Sequence, residues 1–99
     1  MLRKSSSDYF DKAVNELFLR RIFVHEGRDL VIAILIRKPD WRPLKASWWT
    51  GKEVYIIGAD LGGNFLLRHS DGSVRLWVHE SKTEKLLAPS VKSFVGGLV

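Results

Sequence analysis

The chain has 99 residues, no cysteine, and 16 Lys and Arg against 11 Asp and Glu, which gives a net charge of +5. This length predicts one domain over residues 1–99, with residues 1–7 as a flexible N-terminus. The lack of cysteine in the sequence excludes a disulfide scaffold, a thiolate zinc site and a cysteine nucleophile. Residues 1–7 lack the apolar core of a signal peptide, and the longest apolar run, residues 30–36, is too short for a membrane helix. We therefore expect a cytoplasmic protein.

The first half of the chain predicts a helix, a strand and a loop. Apolar residues recur at helical spacing over residues 8–23, which predicts an amphipathic helix. Residues 30–36 form a continuous β-branched run, typical of a strand buried on both faces. The two prolines of residues 38–43 favour a loop there, and a second strand is expected over residues 53–57.

The second half predicts a hairpin. Residues 61–63 form a glycine-rich bend, and the Asp71–Gly72 pair indicates a two-residue turn between strands 64–69 and 73–79. That turn sets Arg68 opposite Arg75 and Asn64 opposite His79. One face of the predicted hairpin belongs to the core and carries Phe65, Leu67, His69, Val74, Leu76 and Val78. The other face carries Asn64, Leu66, Arg68, Arg75, Trp77 and His79, whose apolar members need a helix or a partner to cover them.

A short helix is expected at the end of the chain, over residues 88–98, with Pro89 in its first turn. The predicted fold class is therefore α+β: a small antiparallel sheet with a central hairpin, flanked by an N-terminal and a C-terminal helix.

The sequence offers little support for catalysis. His25–Glu26 and His79–Glu80 are adjacent pairs, and neighbouring side chains of an extended chain point to opposite faces. No HExxH, GxSxG, GxGxxG or GxxxxGK[ST] pattern occurs in the sequence. We expect no catalytic residue, no metal and no cofactor. An enzyme that uses His79 and Glu80 remains as a third alternative.

Basic and aromatic residues are concentrated in residues 37–52. This segment carries five bases and one acid, a charge of +4, so the other 83 residues contribute only +1. It also holds three of the four tryptophans. Three interpretations are open: a protein-binding surface, a groove for single-stranded nucleic acid, or tryptophans in the core with a solvated charged rim. The candidate partner-binding residues of this segment and the hairpin are Arg37, Arg42, Lys45, Trp48, Trp49, Lys52, Arg68 and Arg75.

Three runs of the chain resemble one known family. They are residues 57–67, with the sequence IGADLGGNFLL, residues 71–80, DGSVRLWVHE, and residues 87–94, LAPSVKSF. Their order and spacing are similar to the SUKH superfamily, over roughly residues 54–98. The Gly-Asn of that family falls on Gly63 and Asn64, and its Trp-x-His-Glu falls on Trp77, His79 and Glu80.

The resemblance implies an α+β binding module without catalytic residues. Bacterial members of the family are mostly immunity proteins that bind and neutralise a cognate toxin, and fungal relatives regulate cell-wall synthesis. The five motif residues are expected to maintain the fold, with Asn64 and His79 joined by a structural hydrogen bond. Because the chain is basic, the expected partner is a toxin with an acidic surface. A small nucleic-acid-binding domain acting through residues 37–52 is the alternative.

Overall fold

A computed structural model describes residues 8–99, so the predicted flexible N-terminus lies outside the described residues. Two short helices and seven strands make up this part of the chain. The helices are α1 (Asp8–Asn15) and α2 (Val91–Gly96), and the strands are β1 (Ile22–His25), β2 (Arg28–Leu35), β3 (Arg42–Pro43), β4 (Val54–Asp60), β5 (Phe65–His69), β6 (Val74–Val78) and β7 (Thr83–Ala88). A 3-10 turn, Lys38–Asp40, precedes β3.

The strands form one antiparallel sheet in the order β1-β2-β4-β5-β6-β7, and β3 pairs with the start of β4. The sheet curls into a nearly closed, barrel-like shape and holds 42% of the residues, against 18% in helices. The predicted small sheet flanked by two helices is therefore wrong. The two helices contact each other and lie together instead of bracketing the sheet.

The predicted helix over residues 8–23 is wrong in its second half. Helix α1 ends at Asn15, and residues 22–25 form strand β1, which pairs with β2. The turn between them is Glu26–Gly27, with positive φ angles of 52° and 77°. Two consecutive positive φ angles define the tight hairpin turn that matches strand twist, and Glu-Gly is not one of the Asn-Gly or Asp-Gly pairs that usually indicate it.

Strands β2 and β4 confirm two predicted strands but with different burial and bounds. The prediction that β2 is buried on both faces is wrong, because Ile32 and Leu35 are buried while Ile34 is 54% exposed. A bulge between Ile32 and Ile34 shifts the register with β4. Strand β4 continues through Gly58 to Asp60 instead of ending at residue 57.

The hairpin of β5 and β6 is confirmed, but its predicted register is wrong by one residue. Its turn has three residues, 70–72, because the N–H of His69 donates to the carbonyl of Ser73 and Gly72 adopts a φ of 90°. Leu67 therefore lies opposite Arg75, and Arg68 lies opposite Val74, so the two arginines do not face each other. A one-residue slip exchanges the faces of one strand relative to its partner.

The corrected register defines two faces, which we call inner and outer. The inner face carries Leu66, Val74 and Leu76, which form one buried cluster with Phe10 and Phe94 of the helices. The outer face carries Phe65, Leu67, His69, Arg75 and Trp77.

The end of the chain differs from the predicted helix over residues 88–98. Residues 83–88 form strand β7, which was not predicted because apolar and polar residues do not alternate in this segment. Helix α2 then begins after Ser90, whose hydroxyl accepts the N–H of Ser93 at 3.0 Å. Pro89 lies outside the helix, just before this cap.

Candidate functional site

Three tryptophans meet on the outer face. The Trp48 ring stacks on Trp77 with centroids 5.6 Å apart and planes 17° from parallel. The Trp49 ring meets the edge of Trp77, also at 5.6 Å and at 89°. The indole N–H of Trp49 donates to the carbonyl of Lys52 at 3.0 Å, which fixes the loop between β3 and β4. Trp77, for which a covering helix or partner was predicted, is therefore covered by the chain's own loop.

Two fully buried side chains show what this loop does. Val54 and Leu67 are 0% exposed, yet neither belongs to the cluster beneath the helices. Both lie on the outer face, in register with His69 and Arg75 respectively. We infer that the tryptophan loop covers them and forms a second, smaller core. Trp48 itself stays 53% exposed, so this cover also presents an aromatic ring to solvent.

Polar groups beside the tryptophans form a compact network. The Nε2–H of His69 donates to Glu84 Oε2 at 2.6 Å, and both side chains are mostly buried. Arg75 lies 3.8 Å from the Asp71 carboxylate on the same face. A cavity of about 260 Å³ is lined by these four residues together with Trp49 and Lys52.

The charges of this network balance. Lys52 and Arg75 contribute two cations to the cavity, and Asp71 and Glu84 contribute two carboxylates. Hydrogen bonds from the hydroxyl and the backbone N–H of Ser73, at 2.7 and 2.9 Å, lower the pKa of Asp71 below its usual value of 3.8, so this carboxylate is charged at neutral pH. The cavity beside the tryptophans is consequently balanced in charge instead of cationic as expected.

The remaining candidate residues lie elsewhere. Arg68 is on the inner side of the sheet, in a groove with Lys38 and Trp41. Arg37 is exposed and donates to the side-chain oxygen of Asn15. The other two, Arg42 on β3 and Lys45 in the loop, are also exposed. The structure thus brings Trp48, Trp49, Lys52 and Arg75 together and separates them from Arg37 and Arg68.

Trp41 belongs to the core rather than to the tryptophan cluster. It packs against that core, with its ring edge-on to Phe10 at 5.2 Å, and its indole N–H donates to the carbonyl of Ile36 at 2.8 Å. The three tryptophans of residues 37–52 therefore divide between two sites.

The residues that resemble the family motif form a hydrogen-bonded corner. Asn64 donates from its backbone and side chain to the buried Asp60 carboxylate at 2.8 and 3.0 Å. Its side-chain oxygen accepts the backbone N–H of His79 at 3.0 Å, and the His79 ring lies 3.2 Å from the carbonyl of Gly62. Gly63 turns the chain with a φ of 85°. The structure contains the expected contact between Asn64 and His79, and it ties the bend to the end of β6.

Glu80 is exposed, in the turn after β6. Among the hydrogen bonds and ion pairs of residues 8–99, none joins the side chains of His79 and Glu80. Residues 8–99 also contain no group of three His, Asp or Glu side chains placed to hold a metal ion.

Some residues of the inner groove carried no recognisable signal in the sequence. Lys38 belongs to the basic segment of residues 37–52, whereas Tyr9, Tyr55 and Lys92 come from three separate regions of the chain. Only the fold brings them together. The positive charge of residues 37–52 pointed only to Lys38, and Arg68 was predicted as a partner-binding residue on the hairpin.

Comparisons of this chain with protein-family models, curated proteins and solved structures find no match. Over residues 8–99, no helix is both long and apolar enough to span a membrane.

Proposed function

We propose that this chain is a non-catalytic, cytoplasmic protein-binding module that neutralises a cognate toxin by direct binding. Two things support the proposal: the resemblance of residues 54–98 to the SUKH superfamily, and the aromatic surface on the outer face. The single observation that carries it is Trp48, held in place by Trp77 and yet 53% exposed. Tryptophan and arginine are the residues most often found at the energetic centre of protein interfaces.

The outer face has the other features of a docking surface. Leu86, opposite Arg75 on β7, is 53% exposed and adds an aliphatic contact beside the rings. Trp49 and Trp77 are already packed, so a partner meets ordered side chains and binding loses little conformational entropy. Arg75 and Asp71 provide a polar rim of both signs.

This charge balance favours a protein partner over nucleic acid at this face. Nucleic-acid binding depends on cations that neutralise phosphates. Here the two cations share their cavity with two carboxylates, which would repel a phosphate backbone. A protein surface with an apolar centre and mixed charges at its edge suits the outer face better.

The experiment pairs this chain with the product of a toxin gene that lies next to its own gene. We expect co-purification of the two proteins and protection of cells that express the toxin. Trp48→Ala should weaken binding at least about tenfold, because a central aromatic residue is worth about 1.4 kcal/mol or more. Val24→Ala is the matched control, since Val24 is equally exposed, at 53%, but lies on β1.

Two results would contradict the proposal. One is the absence of both binding and protection with every neighbouring toxin. The other is retention of single-stranded nucleic acid that falls when Lys45, Trp48, Trp49 and Lys52 are replaced and that weakens steeply with salt. That second outcome would establish the nucleic-acid alternative instead.

A further inference from the structure

A groove on the inner side of the sheet combines cations and aromatic rings without an acid in its lining. Its volume is about 460 Å³. Cations Lys38, Arg68 and Lys92 line it, and so do the rings of Tyr9, Trp41 and Tyr55. Neither the outer face nor the motif corner shares any of these six residues.

The three cations reach the groove from separate elements. Lys38 comes from the 3-10 turn, Arg68 from β5 and Lys92 from α2. Among residues 8–99, no carboxylate lies within 4 Å of the charged side-chain nitrogens of these three residues. The Asp11 carboxylate accepts the backbone N–H of Lys38 at 3.3 Å, but Asp11 is not part of the lining. Like charges gathered in this way repel one another, and an anion between them removes the repulsion.

The aromatic rings add a second kind of contact. Tyr55 lies directly opposite Arg68 across β4 and β5, which sets a ring beside a guanidinium group. Tyr9 and Tyr55 are each 37% exposed, so both present ring surface to the groove. The Trp41 ring is held in place before any ligand binds, by the hydrogen bond from its indole N–H to the Ile36 carbonyl and by its edge contact with Phe10. Rings of this kind stack on flat aromatic ligands, and a guanidinium binds phosphate through paired hydrogen bonds.

We propose that this groove binds a nucleoside 5′-phosphate, with the base against the aromatic rings and the phosphate among Lys38, Arg68 and Lys92. The groove is larger than an inorganic anion requires and falls within the roughly 300–1,000 Å³ range of small-molecule sites. The same chemistry is presented by a free mononucleotide and by the 5′-phosphorylated end of a single strand. The proposal does not depend on the proposed protein-binding function, because it concerns different residues.

Isothermal titration of the full chain with adenosine, guanosine, cytidine and uridine 5′-monophosphates tests the proposal. We expect saturable one-to-one binding of at least one of them, with a Kd of about 1 mM or tighter. Adenosine and ribose 5-phosphate, which each lack one half of the ligand, should bind at least about tenfold more weakly than the nucleotide. A 5′-phosphorylated pentanucleotide that binds more tightly than the mononucleotide would identify the strand end as the source, and weaker binding would identify the free nucleotide.

Variants locate the site. Arg68→Gln and Lys92→Gln should each weaken nucleotide binding at least about fivefold, because each removes one charge-assisted contact to the phosphate. Lys92 is exposed on α2, so its variant should fold even where Arg68→Gln does not. Lys52→Gln is the matched control, since it removes one positive charge from the outer face and should leave the Kd unchanged.

Three results would overturn the proposal. The first is no saturable binding of any nucleotide at concentrations up to about 5 mM. The second is equal affinity for ribose 5-phosphate and the nucleotides, which would mean that the rings contribute nothing. The third is tighter binding of phosphotyrosine or of an acidic peptide than of every nucleotide, which would assign the groove to a protein ligand.

Discussion

Gly58→Ala is the substitution whose effect the structure defines most closely. Gly58 lies in β4, where it faces Leu35 of β2 and Leu66 of β5. A Cβ atom built at this position would lie 2.4 Å from the carbonyl oxygen of Ile34, and 3.1 Å from a methyl carbon of each leucine. The oxygen belongs to the backbone of a paired strand, so it cannot rotate away as a flexible side chain would.

The size of the effect follows from this contact. Real Cβ atoms keep at least 3.0 Å from such a neighbour, so the backbones of β2 and β4 must move apart by 3.0 − 2.4 = 0.6 Å or more at this point. Overpacking of a tight interior costs roughly 1–3 kcal/mol, and we expect about 3 kcal/mol here because backbone must move. Unfolding of a domain of 99 residues carries about 0.2 kcal/mol/K of entropy at its midpoint, so the Tm should fall by about 14 °C.

Urea unfolding followed by tryptophan fluorescence and circular dichroism measures this loss. With a slope of about 1.5 kcal/mol/M, the midpoint should fall by about 2 M. Gly62→Ala is the matched control: its Cβ would meet no atom closer than 3.5 Å, so its stability should stay within about 0.5 kcal/mol of the parent. A Gly58→Ala protein within about 1 kcal/mol of the parent would refute the packing argument, and so would equal losses in both variants.

Three further outcomes are expected. Trp77→Ala should lower the free energy of unfolding by about 2–4 kcal/mol in urea titrations, because it removes the ring against which the tryptophan loop packs. Trp48→Ala should lower it by less than about 1 kcal/mol, and equal losses in the two variants would contradict the proposed cover. Asn64→Ala should cost about 1–3 kcal/mol by the same assay, since it removes one of the two hydrogen bonds to the Asp60 carboxylate and leaves the backbone N–H of His79 without its acceptor. An unchanged midpoint would show that the corner is dispensable. The Asp71 carboxylate has a lowered pKa in the folded chain, so its contribution to stability is complete above its unfolded pKa and is lost as pH falls through the lower folded pKa. Asp71→Asn should therefore make the urea midpoint less dependent on pH below about pH 4. Identical pH profiles of the variant and the parent would contradict this.

The hairpin shows how far the sequence alone could lead. Alternating apolar residues around Asp71–Gly72 were enough to predict both strands and the turn between them. The register was not determined, because an Asp-Gly pair fits both a two-residue turn and a three-residue turn with glycine at the positive φ position. That single residue decides whether Arg68 shares the face of Arg75 and Trp77 or lies on the opposite face, so the predicted Arg68–Arg75 pair was wrong.

The candidate surfaces were predictable only in part. The count of tryptophans and bases in residues 37–52 located the loop that packs on the outer face. The family resemblance located the motif corner. The stacking of Trp48 on Trp77 joins residues 29 positions apart (77 − 48), and no local pattern encodes such a contact. The same holds for the inner groove, where Tyr9 and Lys92 meet because α1 and α2 pack together.

The strand order has a consequence for how the two surfaces move. Strands β2, β4, β5 and β6 are paired on both sides, whereas β1 and β7 end the sheet. Amide hydrogens of the doubly paired strands should therefore exchange with solvent mainly through global unfolding, and those of β7 should exchange through smaller local openings. Tyr55 and Arg68 of the groove and Leu67 beneath the tryptophan loop all belong to doubly paired strands. These strand residues of both surfaces thus lie on the part of the sheet that opens least often.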